Sequence, residues 1–195
     1  MIARLVLCLV LLLPASALAN EQDLSHSTKI LLSQQLSGPI LYDALSETEK
    51  TIWLGPMLDA LPSRSRSLPN NLRAEVILTL LYESKRAGLD PLTMLAVMDV
   101  ESDFRKYAIS SAGARGLMQI MPFWKDNIGT PAHNLFDVKT NIRYGCVIMR
   151  HYLNIENGNI TRALLRYNGS LKDQKQSYAI SVLNARSKWE RILNE

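Results

Sequence analysis

The sequence predicts a mostly α domain of the α+β class, with a small β-hairpin and a helical N-terminal extension. Apolar residues recur at helical spacing along most of the chain, whereas the alternating pattern typical of strands is rare. A turn-rich segment at residues 103–122 interrupts the helical pattern, and we expect the hairpin there. The 195 residues are enough for one domain with a hydrophobic core.

Residues 1–19 predict a secretory signal peptide that is not part of the fold. Arg4 supplies a positive charge, the run from Leu5 to Leu13 is apolar, and residues 17–19 read Ala-Leu-Ala, which is an A-x-A cleavage site. The apolar run is much shorter than the roughly 20 residues that a membrane span needs. We therefore expect an exported protein with no stable membrane anchor after cleavage.

Residues 20–70 predict a helical N-terminal extension followed by a linker. One short helix is expected over residues 28–36, and a capping box at residues 46–49 predicts the start of a second. Gly55-Pro56 is expected to end this second helix. Residues 62–70 are rich in Ser, Arg and Pro, which indicates a linker and a domain boundary.

The domain itself, residues 71–195, is predicted to consist of helices around the turn-rich segment. Asn71 is expected to cap the first helix, which Gly88 ends, and Asp90-Pro91 begins the second. This second helix runs to about Ser102 and is apolar on nearly all sides, which indicates that it is buried. Further helices are expected around Trp124 and over residues 141–153, 160–166 and 177–193.

Glu101, at the end of the buried helix, is the candidate catalytic residue. Burial disfavours the charged form of a carboxyl group and raises its pKa, which suits a general acid. A buried Glu at a helix end is more often structural than catalytic, but the residues around it combine apolar faces with polar groups that suit a sugar. These residues are Ser102, Ser110, Met118, Gln119, Met121, Phe123 and Trp124.

Other classes of site are disfavoured by composition. The three His residues lack the spacing of metal ligands, so no metal or other cofactor is expected. Cys146 has apolar helical neighbours and is expected to be buried and unreactive. The formal net charge of +4 is mildly basic and suits a polyanionic partner, but export argues against nucleic acid.

A long motif begins at the candidate acid. It reads Glu101-Ser102-x-Phe104 and then Ala108-x-Ser110-x-Ala112-Gly113-Ala114-x-Gly116-Leu117-Met118-Gln119-x-Met121-Pro122. Two later elements follow in order, Asn141-Ile142-x-x-Gly145 with Tyr152-Leu153, and Ala163-Leu164-Leu165-Arg166-Tyr167-Asn168-Gly169. From about Leu72 to the C-terminus, the chain resembles the soluble-lytic-transglycosylase (SLT) family of peptidoglycan enzymes.

The resemblance implies a lysozyme-like fold and an enzyme of the bacterial periplasm or cell envelope. It implies cleavage of the β-1,4 bond between N-acetylmuramic acid and N-acetylglucosamine, with a 1,6-anhydromuramyl product formed when the muramyl C6 hydroxyl attacks its own C1. Glu101 would be the single acid/base, with Tyr167 as a second catalytic residue nearby. The expected substrate-binding residues are Ser102, Ser110, Gln119, Met121 and Asn168.

A second carboxylate is not required by such a mechanism, and the sequence offers none in a matching motif. Asp99 and Asp103 each lie two positions from Glu101 and would point away from its face of the helix. Two alternatives remain open. One is a lysozyme-type muramidase that hydrolyses the same bond, and the other is a non-catalytic wall-binding or secretion-accessory protein on the same fold.

The last element departs from the family's usual Ala-Tyr-Asn-Ala-Gly. Arg166 precedes Tyr167, and Gly169 comes one position early. We expect this departure to affect contacts with the substrate more than activity. The expected partners are the glycan strands of peptidoglycan and a cell-envelope protein that contacts residues 20–70.

Overall fold

The structure is a computed structural model and describes residues 24–61 and 69–195. These residues form eight α-helices and one short 3₁₀ helix at Tyr42–Ala44, which confirms the predicted mostly α domain. The helices are α1 (His26–Gln35), α2 (Glu47–Ala60), α3 (Asn70–Arg86), α4 (Pro91–Ser102), α5 (Pro122–Ile128), α6 (Val138–Ile155), α7 (Ile160–Tyr167) and α8 (Ser177–Asn194). The predicted signal peptide and residues 62–68 lie outside the described residues. No helix in the described ranges is long and apolar enough to span a membrane.

Helix α4 lies at the centre of the molecule. Every residue from Leu92 to Met98 is buried, and α8 packs along the length of the helix. Helices α3 and α6 pack against each other, and α7 lies between α6 and α8. Because α4 is buried over this length and packs against α3 and α8, the residues at its C-terminal end have a fixed position.

The predicted β-hairpin is not formed. Within residues 103–121 the structure contains only isolated bridges, which join Arg115 to Ile109 and to Ile120. Left-handed backbone at Gly113, Gly116 and Gln119, with φ of 88°, 78° and 49°, turns the chain every few residues. No stretch therefore stays extended long enough to make a strand, and the segment folds as consecutive turns.

Helix α2 extends beyond its predicted end. The capping box is formed in both directions between Ser46 and Glu49, but the helix continues through Pro56 to Ala60. A proline inside a helix removes one backbone hydrogen bond. Here Met57 is fully buried and Leu61 is almost fully buried, so packing against the core outweighs that loss.

The start of α3 also differs from the prediction, by two residues. The helix begins at Asn70, and Pro69 occupies the N-cap position without a side-chain hydrogen bond. Asn71 lies inside the first turn and does not act as the cap. The N-caps predicted further along the chain are formed, because Asp90 accepts from Leu92 N and Thr93 N, and Asn159 accepts from Arg162 N.

The N-terminal extension is joined to the rest of the fold through two arginines. Arg86 Nη2 donates to Gln35 O at 2.8 Å, and Arg143 Nη1 donates to Gly38 O at 2.6 Å. Both guanidinium groups also bond to the carboxylate of Glu83, which is fully buried. Because the carbonyls at the end of α1 accept from these side chains, α1 is held against α3 and α6 by charge-assisted hydrogen bonds.

Candidate active site

Glu101 occupies the last turn of α4, and the chain turns sharply after it. Asp103 and Phe104 both have left-handed backbone, with φ of 51° and 56°, so the helix cannot continue. The Phe104 ring is buried and packs edge-on against Trp189 of α8, with 5.5 Å between the ring centroids. This contact anchors the turn and fixes the end of the helix that carries Glu101.

The environment of Glu101 favours a proton on its carboxyl group. Burial raises its pKa from the ordinary 4.5 to about 7. The Tyr178 hydroxyl donates a hydrogen bond to Glu101 Oε1 at 2.6 Å and acts in the opposite direction, because it stabilises the charged form. The carboxyl group therefore holds its proton to a much higher pH than an ordinary Glu does.

Two tyrosines lie beside Glu101, and both remain protonated. Burial and the nearby charge of Glu101 hold the pKa of Tyr167 and of Tyr178 well above the ordinary value. Tyr167 donates to Met118 O at 2.8 Å, whereas Tyr178 donates to Glu101. The structure thus brings Tyr167 close to Glu101, as predicted, but the hydrogen bond to the carboxyl group comes from Tyr178.

Tyr178 is not among the residues that the sequence predicts for the site. It lies in the helix predicted over residues 177–193, and its ring is buried. Its partner Glu101 lies 77 residues earlier, so no local pattern joins the two. The available signal was a hydroxyl group on a buried stripe, since a buried Tyr hydroxyl usually has a hydrogen-bond partner.

The predicted substrate-binding residues occupy different environments. Gln119 Nε2 donates to Gly116 O at 2.9 Å and to Ala108 O at 3.3 Å, and Ser110 Oγ accepts from Ala114 N. Both side chains thereby brace the turns that follow Glu101. Met121 is partly buried and precedes α5, and Asn168 follows α7 beside Tyr167. Ser102 is fully buried and donates to Met98 O, so it does not face solvent.

Asn141 of α6 holds the turn segment in place. Its side-chain amide donates to Arg115 O and Leu135 O, and its side-chain oxygen accepts from Met118 N at 2.7 Å. A Cβ atom at Gly116 would lie 2.5 Å from Asn141 Nδ2, so only glycine allows this approach. This contact joins two motifs that are far apart in the sequence.

Other chemistry has little support among the described residues. The structure contains no group of three or more His, Cys, Asp or Glu side chains that could hold a metal ion there. Cys146 is buried, and burial raises the pKa of its thiol to about 12, so the thiolate is not formed at neutral pH. Asp99 accepts a hydrogen bond from Trp189 Nε1 at 2.9 Å.

Comparison with known families identifies this arrangement. The sequence model of the transglycosylase SLT domain matches residues 79–189, which is more than half of the chain and includes every residue of the site described above. The chain belongs to the SLT family. Its mostly helical, lysozyme-like fold agrees with the prediction, except that the small hairpin is absent.

Named relatives of this SLT chain include enzymes of bacteria and of a phage. It is 34% identical over 137 residues to membrane-bound lytic murein transglycosylase C of Mannheimia succiniciproducens, a match that covers 58% of this chain and 38% of the relative. It is 35% identical over 86 residues to the transglycosylase of Enterobacteria phage PRD1, covering 44% of this chain and 31% of the phage protein. The chain thus spans well under half the length of these relatives.

A solved structure shares the SLT fold. The lytic transglycosylase Slt of Pseudomonas aeruginosa, determined as an inactive mutant in which a Glu is replaced by Gln, superposes with a TM-score of 0.53. The two sequences are 26% identical, and the match covers 60% of this chain and 24% of Slt.

Arg166, where this chain departs from the usual SLT sequence, pairs with an acidic side chain. Arg166 Nε donates to Glu156 Oε1 at 2.8 Å, and its guanidinium group lies 6.0 Å from the centroid of the Tyr152 ring. Glu156 also pairs with Arg162. The extra positive charge is therefore compensated within the fold at this point.

Proposed function

We propose that the chain is a peptidoglycan lytic transglycosylase. It cleaves the β-1,4 bond between N-acetylmuramic acid and N-acetylglucosamine without water and leaves a 1,6-anhydromuramyl end. The observation that carries this proposal is the environment of Glu101, where burial raises the pKa to about 7 at the end of the central helix of an SLT domain. Relatives named lytic murein transglycosylases support the class of substrate.

One group must first donate and then accept a proton in this reaction. Protonated Glu101 donates to the glycosidic oxygen as the bond from muramyl C1 breaks, and N-acetylglucosamine leaves. The Glu101 carboxylate then accepts the proton of the muramyl C6 hydroxyl while that oxygen bonds to C1. A pKa of about 7 suits both steps near neutral pH, because neither protonation state is strongly favoured.

The surroundings of Glu101 favour internal attack over hydrolysis. Glycosidases that use water pair the acid with a second carboxylate about 5–9.5 Å away. The side-chain hydrogen bond to the Glu101 carboxyl group comes from a tyrosine, Tyr178. Asp99, the nearest acid earlier in the sequence, bonds instead to Trp189.

We assign catalytic roles to Glu101 and Tyr167, and the positioning of Glu101 to Tyr178. A hydrogen bond from the Tyr178 hydroxyl restricts the rotation of the carboxyl group and points it in one direction. Tyr167 lies close enough to Glu101 for the charge of Glu101 to raise the pKa of its hydroxyl group. The dipole of this hydroxyl group therefore also acts on charge that develops in the transition state.

The remaining predicted residues are assigned to the glycan strand. Ser110, Gln119 and Met121 lie on or next to the turns that follow Glu101, and Asn168 is adjacent to Tyr167. In this proposal they contact the sugar rings on either side of the cleaved bond. Ser102 is the exception, because its buried hydroxyl donates to Met98 O and stabilises the last turn of α4.

The decisive test replaces the acid and identifies the products. Wild-type protein incubated with purified sacculi is expected to release muropeptides with 1,6-anhydro ends, identified by mass spectrometry. Glu101→Gln keeps the size of the side chain and removes the proton, so release is expected to fall by at least about 10³-fold. Glu47→Gln is the matched control, because the Glu47 side chain on α2 is 88% exposed.

Three outcomes would contradict the proposal. Wild-type release by the Glu101→Gln variant would exclude Glu101 as the acid. Products with reducing ends would show hydrolysis, as expected of a muramidase. The absence of any product from folded wild-type protein would favour a non-catalytic wall-binding protein.

We also propose that the protein acts in the bacterial periplasm or cell envelope. The predicted signal peptide supports export, and several relatives are named membrane-bound enzymes. Residues 20–70 are the segment proposed to contact an envelope protein. Fractionation of cells that produce the full chain tests the location, since recovery of the uncleaved chain in the cytoplasm would contradict it.

A further inference from the structure

An aromatic pair, an exposed Tyr107 beside a partly buried Phe136, lies outside the site described above. Tyr107 is 68% exposed, more than any other large hydrophobic side chain in the described residues. Its ring centroid is 6.0 Å from that of Phe136, and Lys106 Nζ lies 5.1 Å from the Tyr107 centroid. Although the ring has these neighbours, most of it remains in water, which leaves an apolar surface uncovered.

The chain places Tyr107 next to the residues proposed to contact the glycan. Two consecutive turns, Arg105 N to Ser102 O and Ala108 N to Arg105 O, keep the segment after Glu101 compact. Ala108 O accepts from Gln119 Nε2, and the Cα atom of Tyr107 is about 3.8 Å from that of Ala108. The aromatic pair therefore borders the turns that carry Gln119.

The position of Phe136 is fixed by the same side chain that holds those turns. Asn141 Nδ2 donates to Leu135 O at 2.7 Å and to Arg115 O at 2.9 Å. Phe136 N donates to Asn134 Oδ1 at 2.9 Å. The backbone next to Phe136 and the turns that follow Tyr107 are therefore held by the same side chain, Asn141.

We propose that Tyr107 and Phe136 form an aromatic surface that binds one sugar ring of the glycan strand, beyond the two rings joined by the cleaved bond. This inference rests on the proposed function. One face of an N-acetylated pyranose ring presents C–H groups, which pack against an aromatic ring, while its hydroxyls stay in water. Ile109, which is 66% exposed, extends the apolar surface along the same segment.

The test measures binding without turnover. In the Glu101→Gln background, co-sedimentation with purified sacculi and with chitin beads, which carry no peptide, reports affinity for the glycan. Tyr107→Ala is expected to weaken binding to both by about 5- to 10-fold, and Phe136→Leu by about 3-fold. Tyr107→Phe keeps the ring and is expected to bind within 2-fold of the parent. Ile180→Ala, at a 51% exposed position on α8, is the matched control and is expected to bind as the parent does.

Wild-type affinity of the Tyr107→Ala variant for both materials would overturn the proposal, and so would failure of the parent to bind chitin. Weaker binding to sacculi but not to chitin would assign the ring to peptide and exclude the sugar. In the active background, Tyr107→Ala is expected to raise KM by about 5- to 10-fold with kcat unchanged. If wild type gives no anhydro products while Tyr107→Ala still weakens chitin binding, the proposed reaction fails and the aromatic surface stands.

Discussion

The carboxyl group of Glu101 acts as an acid only while it holds a proton. Two opposing effects, burial and a hydrogen bond, determine its pKa. Burial at the end of α4 raises its pKa, and the Tyr178 hydroxyl lowers it by stabilising the carboxylate. The result, a pKa of about 7, leaves both protonation states populated near neutral pH. Tyr178 therefore adjusts the working pH of the site as well as the direction of the carboxyl group.

Replacing Tyr178 separates these two effects. Tyr178→Phe removes the donor to Glu101 Oε1, so the pKa of Glu101 is expected to rise further above 7. Since activity requires protonated Glu101 and falls as pH rises through its pKa, the alkaline limb of the pH–rate profile should move up by about one unit. We also expect kcat to fall about tenfold, because the carboxyl group is less well oriented.

A matched control exists for this substitution. Tyr144 also carries a buried ring with a bonded hydroxyl, but its partner is His133 Nδ1 at 2.8 Å. Tyr144→Phe is expected to leave the alkaline limb unchanged. If the alkaline limb of the pH–rate profile lies at the same pH for Tyr178→Phe and wild type, Tyr178 does not affect the pKa of Glu101.

At the scale of single helices, the sequence correctly predicted the features that depend only on neighbouring residues. The caps at Asp90 and Asn159 lie where their side chains indicated, since each bonds to backbone within three residues. The end of α2 was mispredicted at Pro56 because burial of Met57, a tertiary effect, decides it. The hairpin was mispredicted because side chains such as Gln119 hold the segment in turns.

The same distinction between local and distant interactions applies to the residues of the candidate site. Glu101 and Gln119 belong to one continuous motif, so the sequence alone made them candidates. The hydrogen bond from Tyr178 depends on how α8 packs along α4, and nothing near Tyr178 in the sequence indicates its partner. Contacts between distant elements are therefore what the structure adds.

The buried charges of α3 provide a prediction at this scale. Glu83 is fully buried and bonds to Arg86 and Arg143, which also hold the end of α1. Glu83→Gln leaves two guanidinium groups without a buried counter-charge, so it is expected to lower the free energy of unfolding by about 3–5 kcal/mol. Urea unfolding followed by circular dichroism measures the loss.

Glu75→Gln is the matched substitution on the same helix. The Glu75 side chain is 33% exposed and pairs with Lys139 at 3.3 Å, so its replacement is expected to cost less than about 1 kcal/mol. Equal losses for the two variants would show that burial of the Glu83 cluster does not matter to stability.

Across the whole molecule, the family match and the packed structure have different limits. The SLT match begins at residue 79, whereas the hydrophobic core includes residues of α1, α2 and the segment between them. These core residues are Leu32, Leu36, Leu45, Trp53, Met57 and, at the C-cap of α2, Leu61. The division into an extension and a domain stays a prediction, but the described contacts favour one cooperative unit.

Removing the N-terminal extension tests whether it and the SLT domain unfold as one cooperative unit. A chain that begins at residue 69 lacks these six buried apolar side chains, each worth about 1.5–3 kcal/mol, and uncovers the face of α3 that carries Thr79 and Glu83. Their total is comparable with the roughly 5–15 kcal/mol that stabilises a typical domain. We therefore expect the shortened chain to lose its cooperative urea transition, while a chain that begins at residue 20 keeps one. A shortened chain with an unchanged midpoint, and with Glu101-dependent release of muropeptides intact, would show that the SLT domain is stable without the extension.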